Sequence, residues 1–388
     1  MIKHFFQGLA QTLFATRPPA RRVLTQAQHG IRKNTCSDAL LRTVNTLHKA
    51  GFEAYLVGGA VRDLMLGHQP KDFDVATSAK PEEVRALFRR NSHIIGRRFR
   101  LVHVLYGRDL IEVSTFRGNH KQMSQDAVTS HSGRIVRDNV FGSIHEDAMR
   151  RDFTINALYY DPSQEEVLDF HGGLADIRAG VLRLIGDAET RYIEDPVRIL
   201  RAVRLSAKLN FNICPSTLAP IAKNPHLLHD VPTSRLFDEL VKFFLFGYAV
   251  NSMHALHKHK LVEHFFPLLA KRMPEPLVEH FVTLALAKTD ARVLAEKSVN
   301  PSFLFASLLW PSLTRALQQQ SATLHPMPAL CAAMSEVLVA QAQTLAIPAR
   351  YTATMRDIWS LQPRFLHRAG RRPWGVLAHP RYRAGYDF

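Results

Sequence analysis

A chain of 388 residues, 46% hydrophobic and 22% charged, is long enough for two or more packed units and apolar enough for a sizeable core. Fifty Lys and Arg against 34 Asp and Glu give a formal charge of +16, which points to a polyanionic partner, since each phosphate neutralised releases condensed counterions. Three scattered cysteines (Cys36, Cys214, Cys331) argue against a zinc ribbon or a secreted disulfide scaffold and fit a reducing, cytoplasmic setting, and no apolar run is long enough to cross a bilayer.

Residues 1–36 read as a basic N-terminal extension, partly disordered. Phe5, Phe6, Leu9, Leu13 and Phe14 fall at helical spacing, but polar residues interrupt them and Pro18 and Pro19 break the pattern. This fits an amphipathic surface helix or a lead-in, not a signal peptide. Ser37 is placed to cap a helix carried by Leu40, Leu41, Val44 and Leu47 and closed by Gly51. The period then changes. Tyr55–Val57, Phe73–Ala76, Ile94–Ile95, Leu101–Tyr106 and Leu110–Phe116 read as strands, with a short helix ending at Gly67 and another starting at Pro81. Residues 37–180 therefore form an α+β domain with a small mixed sheet. Within it, 119–144 is polar and weakly periodic, a long mobile loop. Beyond about residue 190 strand signals nearly vanish, so 181–250 and 251–388 read as helical. The last stretch interleaves Arg371, Arg372, Arg381 and Arg383 with Trp374, Tyr382 and Tyr386, a mixture suited to stacking bases and pairing phosphates of single-stranded RNA.

The chemistry concentrates between 56 and 116. On a strand, side chains alternate faces, so Asp72 and Asp74 share one face while Phe73 turns into the core. Two adjacent carboxylates repel each other and make sense around Mg²⁺, a hard cation. Just upstream, Leu56-Val57-Gly58-Gly59-Ala60-Val61-Arg62-Asp63 runs from a strand through a Gly-Gly turn into a helix start. Such a turn lets backbone N–H groups approach phosphates, with Arg62 able to join them. It is neither a Walker loop nor a dinucleotide fingerprint. Glu112, an isolated acid in a β-prone run, is the candidate third carboxylate.

GGAVRD at 58–63, DFDVAT at 72–77, RRDFTINAL at 150–158 and EDPVRILRAVR at 194–204 resemble, in order, the motifs of the class II nucleotidyltransferases. That family holds the CCA-adding enzymes and the bacterial poly(A) polymerases. The resemblance implies a polymerase-beta-like head (37–180), a helical neck that reads the base (181–250) and a helical RNA-binding body with a basic C-terminal segment (251–388). It implies that Asp72 and Asp74 bind two catalytic Mg²⁺ ions (Mn²⁺ being an alternative), with Glu112 in support. Asp152 counts with the catalytic carboxylates. Gly58, Gly59 and Arg62 hold the triphosphate of ATP, and Arg151 and Asn156 lie near phosphates and ribose. Glu194, Asp195 and Arg198 sit in the neck, the last two one helical turn apart and so able to face a base edge. The substrates implied are ATP and RNA 3′ ends.

IIGRRFRLVHVLYG at 94–107, GRIVRDNVFGSIHEDAMRRDFTINALYYDPS at 133–163 and SRLFDELVKFFLFG at 234–247 resemble the poly(A) polymerase branch more closely than the CCA-adding branch, which stands as the alternative. Two features depart from that branch. His145 stands where it carries an acid, and relatives often continue into a long basic tail that bears on processivity.

Overall fold

A computed structural model describes residues 21–96, 100–118, 127–129, 135–138, 140–367 and 369–388, without the side chains of 127–129, 135–138 and 372. The chain divides into two compact units, residues 1–195 with 212–217, and 196–211 with 218–388.

The first unit is built on an eight-stranded sheet, larger than the hydrophobic pattern suggests. β1 (Arg22–Leu24) lies at one edge. Helix α1 (Asp38–Lys49) follows, and Ser37 caps it by accepting from the Leu40 N–H at 3.2 Å. Its apolar stripe, Ala39, Leu40, Val44 and Leu47, is fully buried. β2 (Ala54–Val57) runs into α2 (Gly59–Met65), then β3 (Phe73–Thr77) into α3 (Pro81–Phe88). β4 (Ser92–Ile95), β5 (Leu101–Tyr106) and β6 (Asp109–Thr115) complete one half. β7 (Ala127–Thr129) and β8 (Ile135–Asp138) pair as a separate antiparallel ribbon. Helix α4 (Ile144–Arg150) precedes β9 (Leu158–Asp161) and β10 (Glu166–Asp169). The sheet order is β1-β10-β9-β2-β3-β6-β5-β4, with only β3 and β6 parallel.

Three expectations change here. The N-terminal extension does not stop short of the head: Arg22–Leu24 pairs with β10, and His29 is buried with its Nε2 3.0 Å from the Glu165 carbonyl oxygen. Residues 1–20 lie outside the described set, as does the helical reading made there. The segment 119–144 is not wholly a loop, because its described residues include the β7–β8 ribbon. Strands of three and four residues, AVT and IVRD, are too short to show an alternation. The head also runs on past residue 180, through a helix at Ala188–Glu194 to Asp195.

The second unit is helical among its described residues. Helix Thr233–Phe244 buries Leu236, Phe237, Leu240, Phe243 and Phe244, and its buried Glu239 is compensated by Arg204 (3.2 Å) and Lys242 (2.9 Å). Phe237 stacks on Phe305 at 5.3 Å and on Tyr351 at 5.4 Å. The C-terminal segment is folded rather than frayed. The Phe388 ring packs edge-on against Phe281, Phe303 and Trp310, and Gln362 donates to the Gly385 carbonyl at 3.0 Å. Among the described residues no helix is long and apolar enough to cross a membrane.

Candidate active site

The register of the sheet assembles the acids. Val57 on β2 opposes Asp74 on β3, and Asp74 opposes Glu112 on β6. Directly paired residues share a face, so Asp74 and Glu112 stand side by side. Phe73 and Val75 point the other way and are buried, which is why the acids cannot turn inward. Asp72 precedes the strand and is exposed. The Asp74 side chain keeps a solvent-facing side, yet the protein crowds it. That desolvation, with Glu112 and then, against Arg151, Asp72, pushes its pKa up to about 6. Among the described residues no three His, Cys, Asp or Glu side chains form a ready metal cage. The donor set nevertheless fits a hard divalent cation: three oxygen-donating acids, mutually repelling, with open sides for water and phosphate oxygens.

The Gly-Gly turn sits at the end of β2 beside these acids. Gly58 has φ 73° and ψ −137°, a conformation open to glycine and strained for any other residue. A Cβ there would lie 3.6 Å from an Arg151 guanidinium nitrogen, and one at Gly59 3.3 Å from Arg62. The two arginines have different settings. Arg62 is 4% exposed and turned inward: it donates to Asp63 at 2.8 and 2.6 Å and to the Asn156 side-chain oxygen at 2.6 Å. Asn156 in turn donates to Asp152 Oδ1 at 3.2 Å, which also accepts from the Phe153 N–H. Arg62, Asn156 and Asp152 thus form one hydrogen-bonded chain under the turn. These bonds use three of the five N–H donors of the Arg62 guanidinium, so the expected contact to phosphate is left as a proposal.

Arg151 is the arginine beside the turn and Asp74. Its Nε donates to the Tyr159 hydroxyl at 2.8 Å and its Nη2 to Asp147 Oδ2 at 3.0 Å, while Tyr159 donates to the same Oδ2 at 2.5 Å. Asp147 Oδ1 accepts from the Arg117 N–H at 3.0 Å. Burial works to lower the Arg151 pKa, but Tyr159 and Asp147 outweigh it, so the guanidinium is held charged. Asp147 and Tyr159 escaped the sequence reading. Asp147 had a signal, its i, i+4 spacing from Arg151 on a helix; Tyr159 had only the general need of a buried hydroxyl for a partner.

His145 stacks on Phe170 at 5.4 Å, so the position is used for packing. In the neck motif, Glu194 accepts from Arg191 at 3.0 Å, and Arg191 also donates to the carbonyls of Arg150 and Arg151, both at 2.7 Å. Asp195 is not on a helix with Arg198. It is extended (φ −148°, ψ 92°), the last residue of the first unit, and the helix Val197–Leu209 that carries Arg198 begins after Pro196. Proline disfavours helical backbone in the residue before it, so Pro196 keeps Asp195 extended and outside the helix that follows. In the C-terminal segment Arg371 and Arg381 are exposed, Arg383 pairs with Asp387 at 2.8 Å, and the Arg372 side chain lies outside the described set.

Family models match three stretches: "Poly A polymerase head domain" at 54–183, "Probable RNA and SrmB- binding site of polymerase A" at 210–273, and "Polymerase A arginine-rich C-terminus" at 322–388. Poly(A) polymerase I of Salmonella typhimurium is 46% identical over 381 residues, covering 96% of this chain and 82% of the relative. The CCA-adding enzyme of Lactobacillus helveticus is 40% identical over 202 residues, covering 51% of this chain and 48% of that protein. The CCA-adding enzyme of Bacillus stearothermophilus, solved with CTP, superposes with a TM-score of 0.51 at 24% identity, over 87% of this chain and 95% of that one.

Proposed function

The chain belongs to the bacterial poly(A) polymerase family and is a polynucleotide adenylyltransferase, and from that premise we propose how its residues extend RNA 3′ ends with ATP, without a template, in the cytoplasm. The observation that carries the reading is the adjacent pair Asp74 and Glu112, beside a Gly-Gly turn, in a chain whose likeness to poly(A) polymerase runs nearly end to end while its likeness to the CCA-adding enzyme of L. helveticus stops near half.

Asp72 and Asp74, with Glu112 in support, would hold two Mg²⁺ ions, which supply a more acidic 3′-hydroxyl and charge neutralisation on the leaving pyrophosphate. Phosphoryl transfer asks mainly for positioning and for charge opposite the departing oxygens. Gly58 and Gly59 offer backbone N–H groups to the triphosphate, and Arg151, held charged beside them, offers a guanidinium. Arg62 keeps the turn, Asn156 and Asp152 in one arrangement, and its remaining N–H donors are proposed to reach phosphate. Asp152 is proposed to act with the catalytic carboxylates, oriented by its bond from Asn156. Arg371, Arg372 and Arg381 are proposed to hold RNA phosphates. Arg383, tied to Asp387, would join them at the cost of that pair.

Base choice is proposed to rest on Asp195 and Arg198, which present hydrogen-bonding groups to adenine. A wrong base leaves polar groups unpaired at about 1–3 kcal/mol each. Purified protein, an oligo(A) primer and each NTP in turn test this on a sequencing gel. Long ladders with ATP alone are expected, and Arg198→Ala should lose rate and selectivity together. Comparable use of CTP, or addition that stops at CCA on tRNA, would overturn the adenylate reading. Preserved ATP selectivity in Arg198→Ala would remove Arg198 from base choice.

Glu112→Gln isolates the third carboxylate, since it keeps the shape and removes the charge. Turnover is expected to fall about a hundredfold, the scale of losing one preorganised charge at the reacting centre, with RNA affinity nearly unchanged. Wild-type turnover in this variant would leave Asp152 or water as the remaining support.

A further inference from the structure

The row that carries Asp74 and Glu112 continues past them to the open edge of the sheet. Glu112 opposes His103 on β5, and His103 opposes His93 on β4, the edge strand. His103 Nε2 is 3.5 Å from the Glu112 carboxylate, and His93 is exposed. Strand spacings of about 4.8 Å put His93 roughly 10 Å beyond Glu112 on the same face. In the opposite direction the row is closed, because Val57 and Tyr159 are 2% and 0% exposed.

Cations gather around the rim where this row leaves the sheet. The helix Pro81–Phe88 lies on the opposite face, where Ser92 Oγ donates to the Arg89 carbonyl at 3.1 Å, so the arginines there are reached by rounding the β4 edge. β4 begins at the same end of the sheet as β3 and β6, since Ser92 opposes Val104, Tyr106 opposes Asp109 and Phe73 opposes Ile111. The chain enters β4 through a 3₁₀ turn, Arg89–Asn91, whose Arg89 has φ 49° and ψ −118°, a costly backbone for a residue with a side chain. The turn borders a groove of about 490 Å³ lined by Glu82, Arg85, Ala86, Arg89 and Arg90. The groove's one acid, Glu82, is engaged by Arg100 at 2.5 Å. Arg85, Arg89 and Arg90 are exposed, and among the described residues their side chains make no ion pair or hydrogen bond.

An RNA whose 3′-hydroxyl lies at Asp74 and Glu112 must lead its upstream phosphates away from a cluster of acids. The Val57–Tyr159 side is filled, and the β4 side offers an imidazole N–H and then three uncommitted guanidinium groups. We propose that this sheet edge is the track for the upstream phosphates of the RNA primer, with His93 nearest the 3′ end and Arg90, Arg89 and Arg85 beyond it. The inference rests on the adenylyltransferase reading and adds a binding site on the head to the RNA contacts proposed for the C-terminal segment.

The test uses the full chain and oligo(A) primers with one uncharged methylphosphonate at each of the first five linkages from the 3′ end. For the Arg89→Ala/Arg90→Ala double variant, KM for RNA is expected to rise about tenfold. Saturating kcat and KM for ATP should stay near wild type. The slope of log(kcat/KM) against log salt should flatten by roughly 1.4, about 0.7 for each phosphate that the variant leaves unneutralised. Neutral linkages near the second to fourth positions should weaken the wild type and have no further effect in the variant. His93→Ala should show the same masking one position closer to the 3′ end. An unchanged KM for RNA, or penalties that simply add at every linkage, would overturn the track. If the wild type failed to extend any primer, the adenylyltransferase reading would fall instead, and binding titrations of the same primers would make the comparison.

Discussion

Asp74→Asn is expected to remove nucleotide addition, by at least about a thousandfold, while making the metal-free protein more stable at neutral pH. The rate loss follows from taking a charged oxygen donor out of a site whose cations are worth several kcal/mol in the transition state. The stability gain follows from the sign of the pKa shift. Asp74 sits at about 6, above its ordinary 3.8, because burial, Glu112 and Asp72 outweigh Arg151. A carboxyl with a raised folded pKa binds its proton more tightly folded than unfolded, so its ionisation costs stability. That cost is absent below the ordinary value, develops as pH rises from about 4 to 6, and is fully present above. Melting temperatures of wild type and Asp74→Asn in EDTA should therefore coincide near pH 4 and separate above pH 6, with the variant higher. Added Mg²⁺ should narrow the gap by stabilising the wild type alone. A variant that polymerised, or that was less stable at pH 7 in EDTA, would show that Asp74 is not the crowded carboxylate of a metal site.

How far the sequence discloses this site depends on what kind of signal each part carries. Alternation along a strand is enough to place Phe73 in the core and Asp74 on the opposite face, because a strand's geometry is local, while Asp72 precedes β3 and lies outside that alternation. The pairing of Asp74 with Glu112 is not local: it needs β3 and β6 parallel and in register, and a single isolated acid announces only that a strand has a polar position. Composition shift alone separates a sheet-bearing head from a helical remainder. It does not find β9, β10 or the early strand at Arg22–Leu24: β9 and β10 form a local hairpin, but β1 joins β10, and β2 joins β9, across more than a hundred residues of chain. Leu158–Asp161 and Glu166–Asp169 are nearly all buried, and a short buried run lacks the alternation that marks a strand with one wet face. The side-chain network was the least legible part. Arg62 and Arg151 are both arginines in motifs expected near phosphate, and only Asp63 and Asn156 on one side, Asp147 and Tyr159 on the other, distinguish their settings.

The same network yields the second large effect. Arg151→Ala is expected to lower kcat/KM for ATP by about a hundred- to a thousandfold, the scale of removing one preorganised charge aimed at a developing anion. It should also destabilise the fold by about 3–5 kcal/mol, because Asp147, 6% exposed, would be left as a buried charge without its guanidinium. Activity lost through unfolding and activity lost through chemistry would then be confounded. The double variant Asp147→Asn/Arg151→Gln separates them. It removes both charges, leaves Tyr159 and the Arg117 N–H an amide to bond to, and should recover most of the stability, since replacing both members of a buried pair costs far less than removing one. It should recover none of the turnover. Thermal melts alongside single-nucleotide incorporation from saturating RNA and varied ATP give both quantities. Stability restored with turnover still absent identifies Arg151 as a group that works on the triphosphate. Turnover restored along with stability would make the guanidinium a structural partner of Asp147 and leave the backbone of Gly58 and Gly59 to hold the phosphates.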